Sequence, residues 1–267
     1  MSTENAPAEE LTGNVLFYTR PEPLNLEKHG KYGLKRLEKP FAFASSAHLV
    51  PLTVAEFGVA SKSYPIIFVG DERQPAVVMG LRDGENLFFE KSGDFDPETY
   101  IPAFVRRVPF VFANDKDSDR MILCIDMGSP LVDPQGGDVP LFENGKPGAY
   151  TEGAMTFCKE FEEERLRTVD FVKLLNELDL FETKKAQFQP PPGPDGVLPP
   201  VQNLADYVGV SEEKLNALPD AKLTELVRNG ALSQIYMHLT SLQNWERLIG
   251  RALRRQNAAA NDVAGNA

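Results

Sequence analysis

The strongest constraint on this chain is the spacing of its apolar runs. "IIFVG" (66–70), "AVVMGL" (76–81), "NLFFE" (86–90), "PFVFA" (109–113) and "RMILCID" (120–126) are each strand-sized, with short polar segments between several of them. Asp83–Gly84 and Asn144–Gly145 are tight-turn pairs, because such turns need the positive φ that glycine tolerates. Strands that meet across short turns pair antiparallel, whereas parallel strands need long crossovers. The chain therefore reads as α+β: an antiparallel β-sheet with short flanking helices and a C-terminal helical segment.

Helical signals fall between and after these runs. Thr53 and Glu56 have capping-box spacing, and the helix they open is expected to reach Lys62, since Pro65 forbids its continuation. "ETYIPAFVRRV" reads as a helix stopped by Pro109. From 156 to 180 the apolar spacing is helical, with Phe157, Phe161, Phe171, Val172 and Leu175 near one face. "FQPPPGPDGVLPP" (188–200) holds six prolines and reads as an extended connector. Beyond it, Ser211 is an N-cap, Gly230 a stop, and one long helix is expected from Ala231 to Gln256. The expected organisation is a disordered lead (1–13), an α+β domain (14–185), a Pro-rich connector (186–202), a helical segment docking on the main domain (203–256) and a disordered tail (257–267).

Charge narrows the choice of partners. The net charge of -11 repels nucleic acid and anionic surfaces, so nucleic-acid binding is not expected. No apolar run approaches the roughly 20 residues of a membrane span. The polar, acidic start "MSTENAPAEELTGN" has no signal-peptide pattern, and a soluble, cytoplasmic protein is expected, with non-classical export to the cell surface left open. Cys124 lies in an apolar run and Cys158 in a charged helix; neither spacing implies a metal or redox motif.

Catalytic and cofactor motifs fail on particular residues. "ENGKPG" puts Pro147 where a phosphate cradle needs a backbone N–H, and "MGSPL" puts Pro130 after Ser129. The histidines, His29, His48 and His238, are not at metal-ligand spacing, and a structural role is expected for them over a metal role. Asp115, Asp117 and Asp119 alternate like a calcium loop, but Arg120 stands where its glycine belongs and Asp126 where its bidentate Glu belongs, so a solvated turn is expected. No cofactor and no metal is expected. Arg247, Arg251, Arg254 and Arg255 crowd the end of the last helix, where they complement its dipole; a docking patch for an acidic partner or a membrane surface is the alternative. Trp245, the single tryptophan, reads as a packing residue.

The candidate polar site comprises Glu56, Tyr64, Asn86, Arg106 and Arg107. On a helical wheel Arg106 projects from the polar side, while Arg107 falls at the edge of the apolar arc. A guanidinium there needs a fixed anion. The expectation is an internal carboxylate, Glu56 or Glu90, with an external ligand as the alternative.

The blocks "VPLTVAEF", "SYPIIF", "GENLFFE", "YIPAFVRRVPFVFA", "LCID", "PLFENGKP" and "EEKLNALPDAKLTELVRNGALSQIYMHLTSLQNWERLI" together resemble the bacterial SapC family, over residues 14–255. This is not the membrane-spanning peptide-transporter permease of the same name. The resemblance implies a link to a bacterial surface layer and brings no catalytic residues with it. The function expected is a soluble, non-catalytic accessory or interaction protein with a protein partner. The alternative is an enzyme or small-ligand binder with its site near the β-meander and the Arg106–Arg107 helix end.

Overall fold

The structure, a computed structural model, describes residues 15–114, 121–189, 192 and 198–265. In chain order the elements of its first part are β1 (Pro21–Pro23), α1 (Leu26–His29), β2 (Gly33–Leu34), β3 (Leu49–Pro51), α2 (Phe57–Ala60), β4 (Ile66–Val69), β5 (Gln74–Val78), α3 (Ala103–Arg106), β6 (Phe110–Asn114) and β7 (Met121–Asp126). The second part holds β8 (Val132–Asp133), β9 (Val139–Pro140), β10 (Phe142–Glu143), β11 (Lys146–Pro147), α4 (Ala149–Glu177), β12 (Phe181–Phe188), β13 (Gln202–Val210), α5 (Glu212–Asn216), α6 (Asp220–Arg228), α7 (Ala231–Ser241) and α8 (Asn244–Gly265). Among the described residues every strand pairing is antiparallel. The expected lead (1–13) and the Asp115, Asp117 and Asp119 turn lie outside the described residues.

The chain divides into two compact units, each discontinuous in sequence, and not into the contiguous 14–185 domain expected. The first combines residues up to Phe43 with Ala103–Glu163, and the second combines Ala44–Pro102 with Glu164 onward. Helix α4 therefore gives its first turns to one unit and its last to the other.

In the first unit, β6 and β7 pair along their length and β1 extends the sheet. A second small sheet has the order β8-β2-β9. Phe110, Leu123, Ile125, Leu34 and Leu141 pack into one core with Cys158. The Asn144–Gly145 turn forms as expected: both residues take positive φ (51° and 75°), which lets β10 fold back on β11 in two residues. Asp126 is buried and accepts from the Arg20 and Thr19 backbone N–H groups at 2.6 and 3.2 Å, so this carboxylate anchors the chain ahead of β1.

The second unit is built on a five-stranded sheet of order β12-β13-β4-β5-β3. Here several expectations are corrected. Residues 203–210, expected in the helical segment, belong to strand β13, which pairs with β12 along its length. The proline-rich stretch thus lies between two paired strands. Asn86–Glu90 is not a return strand; its Leu87 N–H reaches Met79 O at 2.8 Å, but its carbonyls of Asn86, Leu87 and Phe89 accept from the guanidinium groups of Arg255 and Arg251. The helix opened by the Thr53–Glu56 capping box is short, a 3-10 turn at Val54–Glu56 followed by α2.

The single helix expected over 231–256 is two. The break follows Ser241, whose hydroxyl donates to His238 O and accepts from Ile66 N–H at 3.0 Å. Asn244 then opens α8 with its side chain donating to Ser61 O and Tyr64 O. Between the two helices the backbone makes i→i+3 bonds, Leu242 N–H to Leu239 O, Gln243 N–H to Thr240 O and Trp245 N–H to Leu242 O, in place of the α-helical ladder. Helix α8 continues to Gly265, over most of the tail expected to be disordered; the alanines at 258–260 favour that continuation.

Candidate functional site

The five candidate polar residues are divided between the two units. Arg106 and Arg107 belong to the first unit; Glu56, Tyr64 and Asn86 belong to the second.

Glu56 sits at the third position of its helix, buried, where the capping box directs it back to Thr53. Its Oε2 accepts from the Thr53 N–H at 2.9 Å and hydroxyl at 2.8 Å, and its Oε1 from the Tyr100 hydroxyl at 2.9 Å. Tyr64 is fully buried, donates its hydroxyl to Tyr100 O at 2.6 Å, and packs edge-on against Phe88. Burial raises its phenol above the ordinary value. Asn86 is buried and closes a turn: its side-chain oxygen accepts from the Phe88 N–H and its amide donates to Ala44 O. Three polar groups that looked available in sequence are thus engaged within the second unit.

Arg107 corrects the carboxylate expectation. It is half-buried, and among the described residues no carboxylate lies within ion-pair distance of it. Its guanidinium stacks over Phe104 at 4.1 Å, Phe161 at 4.6 Å and Tyr18 at 5.5 Å, while its Nε is buried without a hydrogen-bond partner. Cation–π attraction takes the place of the anion. Helical spacing put Arg107 at the apolar edge, but the aromatic ring from residue 18 was invisible to it. Burial raises the Tyr18 phenol, and the neighbouring Arg107 charge opposes that rise. Arg106 is exposed, as expected, and lies over Phe157 at 5.2 Å.

The histidines divide by burial. His29 is fully buried: Nδ1 accepts from the Asn25 N–H, and Nε2 faces Glu22 at 3.0 Å. Burial works against the Glu22 carboxylate, but the hydrogen bonds from Lys28 and His29 outweigh it and hold its pKa low. His48 is partly exposed, 3.3 Å from Asp83. His238 is fully buried, and its Nε2 accepts from the Val210 N–H at 3.0 Å. Burial, aided by Lys184, pushes its pKa down to about 3. Among the described residues, no three His, Cys, Asp or Glu side chains gather to hold a metal ion. Both cysteines are buried free thiols, pushed by burial up to about 11.

The arginines of α8 correct the dipole expectation. Arg247 donates to Lys62 O at 2.9 Å, and Arg251 pairs with Asp96 at 2.5 Å while stacking over Phe88. Burial works against the Asp96 carboxylate, yet Arg251 keeps its pKa low. Trp245 packs against Tyr207, as expected of a packing residue, but its buried indole N–H makes no hydrogen bond of normal geometry.

One concave surface lies elsewhere in the second unit. A groove of about 440 Å³ is lined by Leu49, Ile67, Val69, Val78, Tyr207 and Trp245, among others, with His48 and Asp83 at its edge. Sequence reasoning missed it because it depends on strand register between residues far apart in the chain.

These features define a mixed α+β protein of antiparallel sheets, in which no helix among the described residues is long and apolar enough to cross a membrane. The chain belongs to the SapC family, whose model matches residues 24–248. Comparison with curated proteins and with solved structures finds no match.

Proposed function

We propose that this chain is a non-catalytic accessory protein that acts by binding another protein, in a role linked to the bacterial surface layer or cell envelope. The observation that carries the reading is the fate of the polar candidates. Glu56, Tyr64 and Asn86 bond to neighbouring hydroxyl and backbone groups, and Arg107 is stacked among rings. A catalytic constellation keeps a nucleophile, a base and an oxyanion donor convergent on one accessible point; Glu56, Tyr64 and Asn86 instead bond to neighbouring groups of their own unit. Membership of the SapC family is consistent with the surface-layer link that the resemblance implies.

The test is crosslinking in native cells, followed by capture of the intact chain and identification of what is joined to it. A stoichiometric polypeptide partner, recovered again when that partner is used as bait, supports the reading. Recovery of the chain alone, together with a thermal shift on one member of a metabolite panel, replaces it with a ligand-binding or enzymatic role.

A further inference from the structure

The five-stranded sheet of the second unit has an interruption beside its groove. Strand β13 is paired with β12 along its length, yet on its other side it meets β4 only at Val208↔Phe68. Among the described residues no strand pairs the Gln202–Tyr207 side of β13. Past Val208 the ladder gives way to α7, where His238 accepts from the Val210 N–H and Ser241 from the Ile66 N–H. One end of the seam is therefore sealed by helix side chains, and the other end is open.

An unpaired strand edge in a native protein is normally blunted or covered, because it is a template for another extended chain. Here the space beside the edge is the 440 Å³ groove. Register places Leu49 with Val78 and Ile67 with Ala76 on one sheet face, so the floor is apolar at every second position. Trp245 lines the groove, is only 8% exposed, and packs against Tyr207 in its wall. Asp83 and Asp206 stand at the rim as exposed carboxylates. Leu198 and Val201, just ahead of β13, are 62% and 53% exposed.

We propose that this groove takes an extended peptide segment of a partner protein, apolar at alternate positions and flanked by Lys or Arg, which adds as a strand along the free side of β13. The proposal rests on the accessory-protein reading and gives it a surface. Main-chain hydrogen bonds supply the attachment and alternate side chains fill the floor. The rim carboxylates select a basic flank, and the net charge of -11 disfavours a second copy of this chain as occupant.

The experiment selects a display library of random dodecamer peptides on the intact chain and measures enriched peptides by the emission of Trp245, the single tryptophan. Two variants serve as controls: Ala205→Arg, which fills the groove, and Asp206→Lys, an exposed change that leaves the fold intact if the first does not fold. The expected result is enrichment of alternating apolar sequences with basic ends. Their affinity falls at least tenfold on Asp206→Lys, on folded Ala205→Arg, and on N-methylation of alternate peptide residues. Lack of enrichment, binding indifferent to N-methylation and to both variants, or a dimer in solution that Ala205→Arg dissociates each overturns the proposal. If native-cell capture of a partner survives both variants, the groove assignment fails and the accessory reading stands. If the unaltered chain captures no partner, the accessory reading itself fails.

Discussion

At the scale of single residues, His238 shows how a buried titratable group ties stability to pH. Its Nε2 must stay unprotonated to accept from the Val210 N–H. The folded pKa lies near 3 against an ordinary 6.5, so the unfolded chain binds the proton more readily between those values. The stabilisation is therefore complete above 6.5 and is lost as pH falls from 6.5 towards 3, at about 1.4 kcal/mol per pH unit while the unfolded imidazole is protonated. Urea midpoints between pH 6.5 and 5 should fall for the natural chain and stay flat for His238→Gln, which keeps an acceptor but does not titrate. Parallel slopes for the two would disprove this role. Arg107 gives a second expectation. Because it meets rings and no carboxylate, Arg107→Met keeps the volume and most of the contact, and thermal unfolding should show a loss of no more than about 1 kcal/mol. A loss of several kcal/mol would mean that the charge itself is structurally required. The two buried thiols, raised to about 11, should react with a disulfide reagent at pH 8 far more slowly than in urea. Equal rates would show that they are accessible.

At the scale of elements, local signals did well where the cause is local and failed where it is not. The Asn144–Gly145 turn and the Thr53–Glu56 capping box were legible because each is settled within four residues. Strands β4, β6 and β7 were legible from compact apolar runs, while β5 (Gln74–Val78) starts two residues before the expected 76–81 run and ends three residues short of its end. The Asn86–Glu90 run was misread as a strand, and the guanidinium groups that meet its backbone, those of Arg251 and Arg255, lie more than 160 positions away where local pattern gives no sign of them. Strand β13 was missed because its partner lies across the prolines, and a mixed run such as "QNLADYVGV" identifies its face only once β12 is in place. The same arginines yield a prediction. Arg251→Ala removes a charged hydrogen bond to Asp96 and the stack over Phe88, and should cost about 1–3 kcal/mol in a denaturant titration. A double-mutant cycle with Asp96→Asn should show coupling. Additive losses would mean that the pair contributes little and that the stack on Phe88 carries the effect.

At the scale of the molecule, the sequence supported the α+β class and the SapC family, and both hold. The candidate site was legible only as a set of residue types. Polar side chains in recurrent apolar blocks look functional in one dimension, yet Glu56, Tyr64 and Asn86 each answer a hydrogen-bonding demand made by burial. The groove is the reverse case, made of ordinary aliphatic residues whose importance arises from the incomplete pairing of β13 with β4. The central claim is that this chain works by holding another protein, and crosslinking in native cells followed by mass measurement of the intact complex tests it most directly. The account predicts a defined complex with one polypeptide partner at fixed stoichiometry. A chain that runs alone after crosslinking, or carries only a small molecule, would contradict it.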